Sequence, residues 1–212
     1  MKLFIIGGSG NIGSRIVAEA LSRGHDLTVM TRDPGKVKAQ PHLKVVQGDV
    51  MDADSVAKQI KGFDGVINSF GPGIGADAYD KYVQAADALI SAARKAKVKR
   101  VLWVGGAASL EVKPGVQLLD TLELPPPIKQ ALSGMREVLY KLRKIDDLDW
   151  TFFSPAGEIG PGPRTGKFRL GTDQLVVGTD GKSRISRDDY AIAVVDEMEK
   201  PKHIKKRFTI GY

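Results

Sequence analysis

The stretch of this chain most able to do chemistry is Gly7-Gly8-Ser9-Gly10-Asn11-Ile12-Gly13. Its glycines at 7, 10 and 13 follow a short apolar run, residues 3–6. They precede Ile12, Ile16, Val17, Ala20 and Leu21, which recur at helical spacing. In a strand–turn–helix context, Gly7 permits a tight turn and Gly10 lets backbone N–H groups approach a diphosphate at the helix N-terminus. Gly13 allows the helix to pack closely on the strand. The expected ligand of residues 7–13 is therefore a dinucleotide.

The end of the second expected strand selects among dinucleotides. An acidic residue about 20 positions beyond the loop binds a ribose 2′-hydroxyl, but here the strand ends in Met30-Thr31-Arg32-Asp33. Arg32 can fork onto a 2′-phosphate and stack on adenine, and Thr31 can add a hydrogen bond. The expectation is NADP(H) in preference to NAD(H). Asp33 caps the following turn. Asp49, in Gly48-Asp49-Val50, either accepts from the adenine amino group or caps the helix expected at 52–61. Ser69, Phe70 and Gly71 follow the fourth strand, where backbone passes beside the cofactor ribose. Residues 71–75 read as a flexible loop over it.

On the substrate side, Ser109 follows Gly105-Gly106-Ala107-Ala108 and is either a polar substrate contact or a turn cap. It is the one catalytic candidate. Pro155 is expected to shape the nicotinamide wall, and Ser154 to satisfy backbone. Zero cysteines exclude thiolate ligands, thiol nucleophiles and disulfides. No His/Asp/Glu cluster has metal-ligand spacing, and His25, His42 and His203 read as surface residues.

Short apolar runs alternating with helical patterns must position these groups, the signature of parallel βαβ units. Strands are expected at 3–6, 27–30, 43–47, 66–67, 101–104, 150–153 and 208–210. Helices are expected at 11–23, 52–61 (with Asp52 as N-cap), 77–96, 128–144 and 187–200. Residues 105–127 read as an irregular excursion. Residues 155–185, rich in glycine and proline, read as a small substrate-side cap with two short strands at 167–170 and 175–177. The expected fold is α/β, an open, doubly wound parallel sheet of Rossmann type, in one domain spanning 1–212.

The 212 residues are 42% hydrophobic and 27% charged, with a formal net charge of +7. That length buries a core without a disulfide or metal staple, and the composition argues against disorder. Two basic clusters, at 94–100 and 199–207, carry the positive excess; each follows a helical pattern, where cations favour the macrodipole. They read as solvated helix ends, so neither nucleic acid nor membrane is an expected partner. No apolar run reaches the ~20 residues that span a bilayer, and residues 3–6 are too short for an export signal. A cytoplasmic location is expected.

With these residues in view, the chain resembles the atypical short-chain dehydrogenase/reductases, in particular the NmrA-like and NADH-flavin reductase group. The likeness includes the glycine loop, Gly48-Asp49-Val50, Lys99-Arg100-Val101-Leu102 and Asp149-Trp150-Thr151-Phe152-Phe153-Ser154-Pro155. It continues through Arg184-Ile185-Ser186-Arg187-Asp188-Asp189-Tyr190-Ala191 to Arg207-Phe208-Thr209-Ile210-Gly211-Tyr212. The resemblance implies a seven-stranded Rossmann-type sheet and NAD(P)H binding.

Ordinary members carry Tyr-x-x-x-Lys on the helix after strand five, the Lys lowering the Tyr pKa for proton exchange with a carbonyl. If Glu137 is the Glu that often follows this dyad, Ser133 stands at the Lys position and Lys129 at the Tyr position. Tyr140 and Lys144 make a literal match, but at the helix end and away from the cofactor. Hydride transfer to a flavin needs no such acid, because charge delocalises over the ring and water supplies protons. The leading expectation is an NAD(P)H-dependent reductase acting on a flavin or other conjugated small-molecule acceptor beneath residues 155–170. Two alternatives stand beside it. One is a non-catalytic NADP-sensing protein; the other is a carbonyl or sugar-nucleotide reductase or isomerase using a displaced tyrosine such as Tyr79, Tyr82 or Tyr140. Monomer and homodimer are equally allowed.

Overall fold

Strands that are apolar on both faces need helices on each side of the sheet, and the chain supplies them. The structure, a computed structural model, describes residues 1–38 and 40–212. The first half contains β1 (Lys2–Ile6), α1 (Gly13–Ser22), β2 (Asp26–Thr31), β3 (Leu43–Gln47), α2 (Ala53–Ile60), β4 (Gly65–Asn68), α3 (Ala78–Ala96) and β5 (Arg100–Val104). A hairpin follows, β6 (Glu111–Lys113) and β7 (Val116–Gln117), then α4 (Pro126–Leu142) and β8 (Asp149–Ser154). The chain continues through β9 (Glu158–Gly160), β10 (Arg169–Gly171), β11 (Arg184–Ser186), α5 (Arg187–Glu199) and β12 (Lys206–Gly211).

The main sheet runs β10-β12-β8-β5-β4-β1-β2-β3. Seven of its strands are parallel, and β10 adds an eighth, antiparallel to β12. The expected seven-stranded parallel sheet is thus present and extended by one edge strand. Period-2 alternation splits each strand between two cores. Phe4, Ile6, Val66, Val101, Trp103, Trp150 and Phe152 face α2, α3 and α4. Leu3, Ile5, Val29, Leu102, Phe153, Phe208 and Ile210 face α1 and α5. A buried helix shows no polar stripe; accordingly, Tyr190, Ala191, Val194, Val195 and Met198 of α5 are all buried.

Local chemistry sets the helix ends. Asp52 caps α2 by accepting from the Ser55 amide at 3.0 Å, as its position predicts. Ser186 caps α5 by accepting from the Asp189 amide at 3.0 Å. Helices α3 and α4 approach so closely that a Cβ at Gly134 would lie 2.7 Å from the Tyr79 Cα. Among the described residues, no helix is long and apolar enough to cross a membrane.

Several expectations need correction. Residues 175–177 form no strand; the Leu175 amide instead donates to the Glu111 carbonyl at 2.9 Å, tying this segment to the β6–β7 excursion. His25 is not a surface residue. It is buried between the N-terminal amino group (3.1 Å) and Glu199 (2.8 Å). Two cations of the basic clusters are not solvated: Arg100 is buried against Glu197 and Thr151, and Arg207 against Asp173 and Ser109. Burial pushes both guanidiniums down, and nearby carboxylates push back.

Residues 155–185 also differ from a simple cap. Strands β9 and β11 pair in parallel beside the sheet, and β10 extends the sheet edge. Between them, Arg164 reaches Glu19 of α1 at 2.9 Å, while the Thr165 and Gly166 amides donate to Asp189.

Candidate functional site

The carboxyl ends of β1, β2, β3 and β4 enclose a cleft of about 240 Å³, as expected where ligands bind an open parallel sheet. It is lined by Gly7, Ser9 and Gly10 from the first loop, Thr31 to Asp33 and Lys36 after β2, Gly48 to Val50 after β3, and Ser69 to Gly71 after β4.

Gly7 turns with φ +75°, and a Cβ there would lie 2.5 Å from the Ser69 carbonyl oxygen, so only glycine lets β1 and β4 end so close. At Gly13 a Cβ would lie 2.2 Å from the Gly7 carbonyl oxygen. That contact holds the start of α1 directly under the loop. The Gly10 amide donates to the Gly7 carbonyl at 3.0 Å and the Ser14 amide to the Gly10 carbonyl at 2.9 Å. The amides of Asn11, Ile12 and Gly13 make no hydrogen bond among the described residues, and α1 has neither an acidic residue in its first turn nor a side-chain cap. Free donors at a helix N-terminus form an anion site. Gly8 does not face the cleft; it is buried against Val17 and Val29.

The rim after β2 is a local hydrogen-bond chain. Ser9 Oγ and Thr31 Oγ1 lie 3.1 Å apart, and the Asp33 amide donates to Thr31 Oγ1 at 3.3 Å. Asp33 accepts from the Gly35 amide at 3.2 Å and pairs with Lys36 at 3.7 Å, so it caps this turn as expected. Arg32 is exposed, and its guanidinium has no ion pair or hydrogen bond among the described residues; only its carbonyl is engaged, by Gln47. Because Lys36 offsets Asp33, Arg32 is the cation left available on this rim.

Asp49 lines the opposite wall. Its carboxylate accepts from the Met51 amide at 3.0 Å in a local turn. The helix cap considered for it is supplied by Asp52. After β4 the Ser69 amide donates to the Ile6 carbonyl at 2.9 Å, and Asn68 Oδ1 accepts from the Phe70 amide at 3.1 Å. Phe70 meets Tyr82 of α3 edge to face at 6.3 Å. Burial pushes the Tyr82 phenol up to about 12. Its hydroxyl would lie 3.6 Å from a Cβ at Gly71.

The two substrate-side residues are not brought to this cleft. Ser109 is buried, and its carbonyl and hydroxyl accept from Arg207 at 3.2 and 3.4 Å. Pro155 is buried at the end of β8, its carbonyl accepting from Thr209 Oγ1 at 3.4 Å. Ser154 Oγ is buried without a partner among the described residues, contrary to its expected backbone role. None of residues 155–185 lines the cleft. Tyr140 is half-buried on α4, with its hydroxyl tied to Gln117 at 2.9 Å. Lys129 is exposed and Ser133 half-buried on the same helix. No Tyr–Lys pair lines the cleft among the described residues. No group of three or more His, Cys, Asp or Glu side chains there could hold a metal.

Sequence reasoning gave no role to Lys36 or Met30 and named Tyr82 only as a displaced tyrosine. Met30 packs its thioether where a Cβ at Gly48 would stand, 2.6 Å away. The signal for Lys36 was its spacing three residues after Asp33. The place of Tyr82 beside Gly71 had no local signal, because that approach exists only once α3 has docked.

Comparison with known proteins agrees with this geometry. Residues 7–201 match the model of a family described as NAD(P)H-binding. A Burkholderia pseudomallei structure described as a "putative exported protein" is 45% identical, covers 100% of both chains and superposes with a TM-score of 0.90. One from Bacteroides thetaiotaomicron, described as a "putative epimerase", is 44% identical over 100% of this chain and 96% of that one, with a TM-score of 0.93. A Streptococcus pneumoniae structure described as a "putative NADH-flavin reductase" is 33% identical over 100% and 99%, with a TM-score of 0.88.

Proposed function

This chain belongs to the NAD(P)H-binding family, and from that premise we propose a reductase that prefers NADPH and passes hydride to a flavin or other conjugated small molecule. The observation that carries the reading is the cleft itself. It combines a phosphate cradle with an Arg32 that is unpaired among the described residues, and no Tyr–Lys pair among those residues lines it. The residues fit a dinucleotide: the amides of Asn11, Ile12 and Gly13 are free, among the described residues, at the start of α1, which packs directly under the loop because Gly7 and Gly13 have no Cβ.

The amides of Asn11, Ile12 and Gly13 hold the diphosphate, Arg32 and Thr31 meet the 2′-phosphate, and Asp49 accepts from the adenine amino group. The backbone of Ser69, Phe70 and Gly71 borders the ribose. When bound, the nicotinamide supplies the hydride. The protein's part is then to bind and orient, because a conjugated acceptor spreads the charge it gains and takes its proton from solvent. Ser109, held by Arg207, is given no acid–base role.

Two of the solved relatives carry different descriptions, one reductase and one epimerase. A reductase or isomerase working through a displaced tyrosine fits this cleft less well. Tyr140, the displaced tyrosine with a lysine at the right spacing, is held by Gln117 instead.

The test is anaerobic oxidation of NADPH by FMN, riboflavin and quinones. Turnover with at least one of them is expected, faster with NADPH than with NADH. Tight binding without turnover of any acceptor overturns the enzyme reading in favour of a dinucleotide sensor. We further propose a cytoplasmic monomer or homodimer acting without nucleic acid or membrane partner. Cell fractionation bears on the location directly, given the relative described as exported.

A further inference from the structure

A second cavity, of about 310 Å³, lies on the α5 face of the sheet, lined by Phe168, Leu170, Ala193 and Phe208 together with the polar residues at the end of α5 and its turn into β12. It shares no residue with the dinucleotide cleft. Its size and mixed lining are those of a small-molecule site, mainly apolar with a few placed polar groups. Its floor is open to ligand: Leu170 on the edge strand β10 is 50% exposed, although aliphatic side chains of this size are usually buried.

The polar rim is sorted by sign. The three carboxylates are already engaged. Glu197 accepts from Arg100 at 3.2 Å, from the His203 amide at 2.9 Å and from the Lys202 amide at 3.2 Å. Asp196 pairs with Arg23 at 2.6 Å, and Glu199 with Arg23 at 3.0 Å and with His25 at 2.8 Å. The cations are not engaged. Lys200 and Lys202 are exposed and form no ion pair among the described residues. His203 stacks flat on Phe208 at 4.1 Å, with Nδ1 2.8 Å from Glu197 Oε2. That bond fixes the ring at the cavity edge and leaves Nε2 without a protein partner among the described residues.

We infer that this cavity binds an organic anion with an apolar body, its carboxylate meeting Lys200 and Lys202 and its hydrocarbon lying on Phe168, Leu170 and Phe208. A bound carboxylate is the counter-ion that these two ammoniums lack, and each carboxylate of the rim already has a cationic partner in Arg23 or Arg100. Phe208 stacks on Phe153 at 3.9 Å and Phe153 on Tyr190 at 4.3 Å, so the aromatic floor rests on the main core, with the two lysines on the turn after α5.

Calorimetric titration of the full chain with sodium decanoate, decan-1-ol and decyltrimethylammonium, each kept below micelle formation, tests the assignment. One saturable site for decanoate is expected, at least about tenfold tighter than for the alcohol or the ammonium, since two exposed charge contacts together approach 1.4 kcal/mol. Lys200→Glu/Lys202→Glu and, separately, Leu170→Asp should each weaken decanoate at least about tenfold while leaving NADPH affinity unchanged. Equal binding of the alcohol or the ammonium, decanoate binding that survives both variants, or no saturable site overturns it. Should the charge-reversed variant melt early, Lys200→Gln/Lys202→Gln carries the same comparison.

Discussion

Arg32 stands at the cleft rim with its guanidinium unengaged, beside the Ser9–Thr31 hydroxyl pair and the offset Asp33–Lys36 pair. A charge-assisted hydrogen bond to a phosphate is worth about 1.5–3 kcal/mol, and 1.4 kcal/mol is a factor of ten. Arg32→Asp should therefore raise the NADPH dissociation constant by roughly 10- to 100-fold while changing that of NADH by less than about threefold. Fluorescence titration of both nucleotides measures this, and an unchanged NADPH affinity would remove Arg32 from the site. Gly13 tests the cradle differently. A Cβ there meets the Gly7 carbonyl oxygen at 2.2 Å, and neither partner is a flexible side chain. Gly13→Ala should cost about 1–3 kcal/mol of stability by overpacking, read by urea unfolding, and should abolish nucleotide binding in the fraction that folds.

At the scale of elements, the start of α5 is held by one carboxylate. Asp189 accepts from the Thr165 and Gly166 amides at 2.7 and 2.8 Å, from Thr165 Oγ1 at 2.6 Å and from the Tyr212 hydroxyl at 2.8 Å. Burial alone raises its pKa, but these four hydrogen bonds outweigh it and hold the group below the ordinary aspartate value. Stability from a depressed carboxylate is present above its unfolded pKa and lost as pH falls through the folded value. Asp189→Asn should thus be less stable than the parent at pH 7, by about 1–3 kcal/mol. The difference should shrink as pH drops below 3.8, the ordinary value for aspartate. Urea melts at pH 7 and pH 3 check it; a constant difference would show that charge plays no part.

The same element shows which parts of the fold the sequence makes legible. Asp188, Asp189 and Ser186 announce a helix start locally, as Asp52 and Ser55 do for α2, because caps act within one turn. The glycine loop is legible for the same reason. Strand β10 is legible only in part: the short strand expected at 167–170 forms at Arg169 to Gly171, but its antiparallel place on the sheet edge comes only from pairing with β12. Nor is the partner of Glu19 legible, because Arg164 lies 145 residues away. Ser109 looked available for substrate because nothing nearby predicts Arg207, 98 residues on, filling its hydrogen-bonding capacity.

For the whole molecule, the cleft joins the loops after four neighbouring strands, so a ligand there braces the half of the sheet from β4 to its β3 edge rather than one loop. Binding to the folded state alone adds RT ln(1 + [L]/Kd), about 2.7 kcal/mol when the ligand stands at 100 times its dissociation constant. For a chain of 150–250 residues, each kcal/mol raises the melting temperature by roughly 2–4 °C. Saturating NADPH should therefore raise it by about 5–10 °C, and equal concentrations of NADH by distinctly less, since NADH offers Arg32 no phosphate. The second cavity predicts an independent increment. Decanoate should add its own rise on top of the nucleotide's, because the two sites share no residue and distant contributions add. Differential scanning calorimetry with each ligand alone and with both together separates the cases. A combined rise no larger than about that of the stronger ligand alone, instead of the sum, would mean that the two compete, placing decanoate in the dinucleotide cleft and not on Leu170 and Phe208.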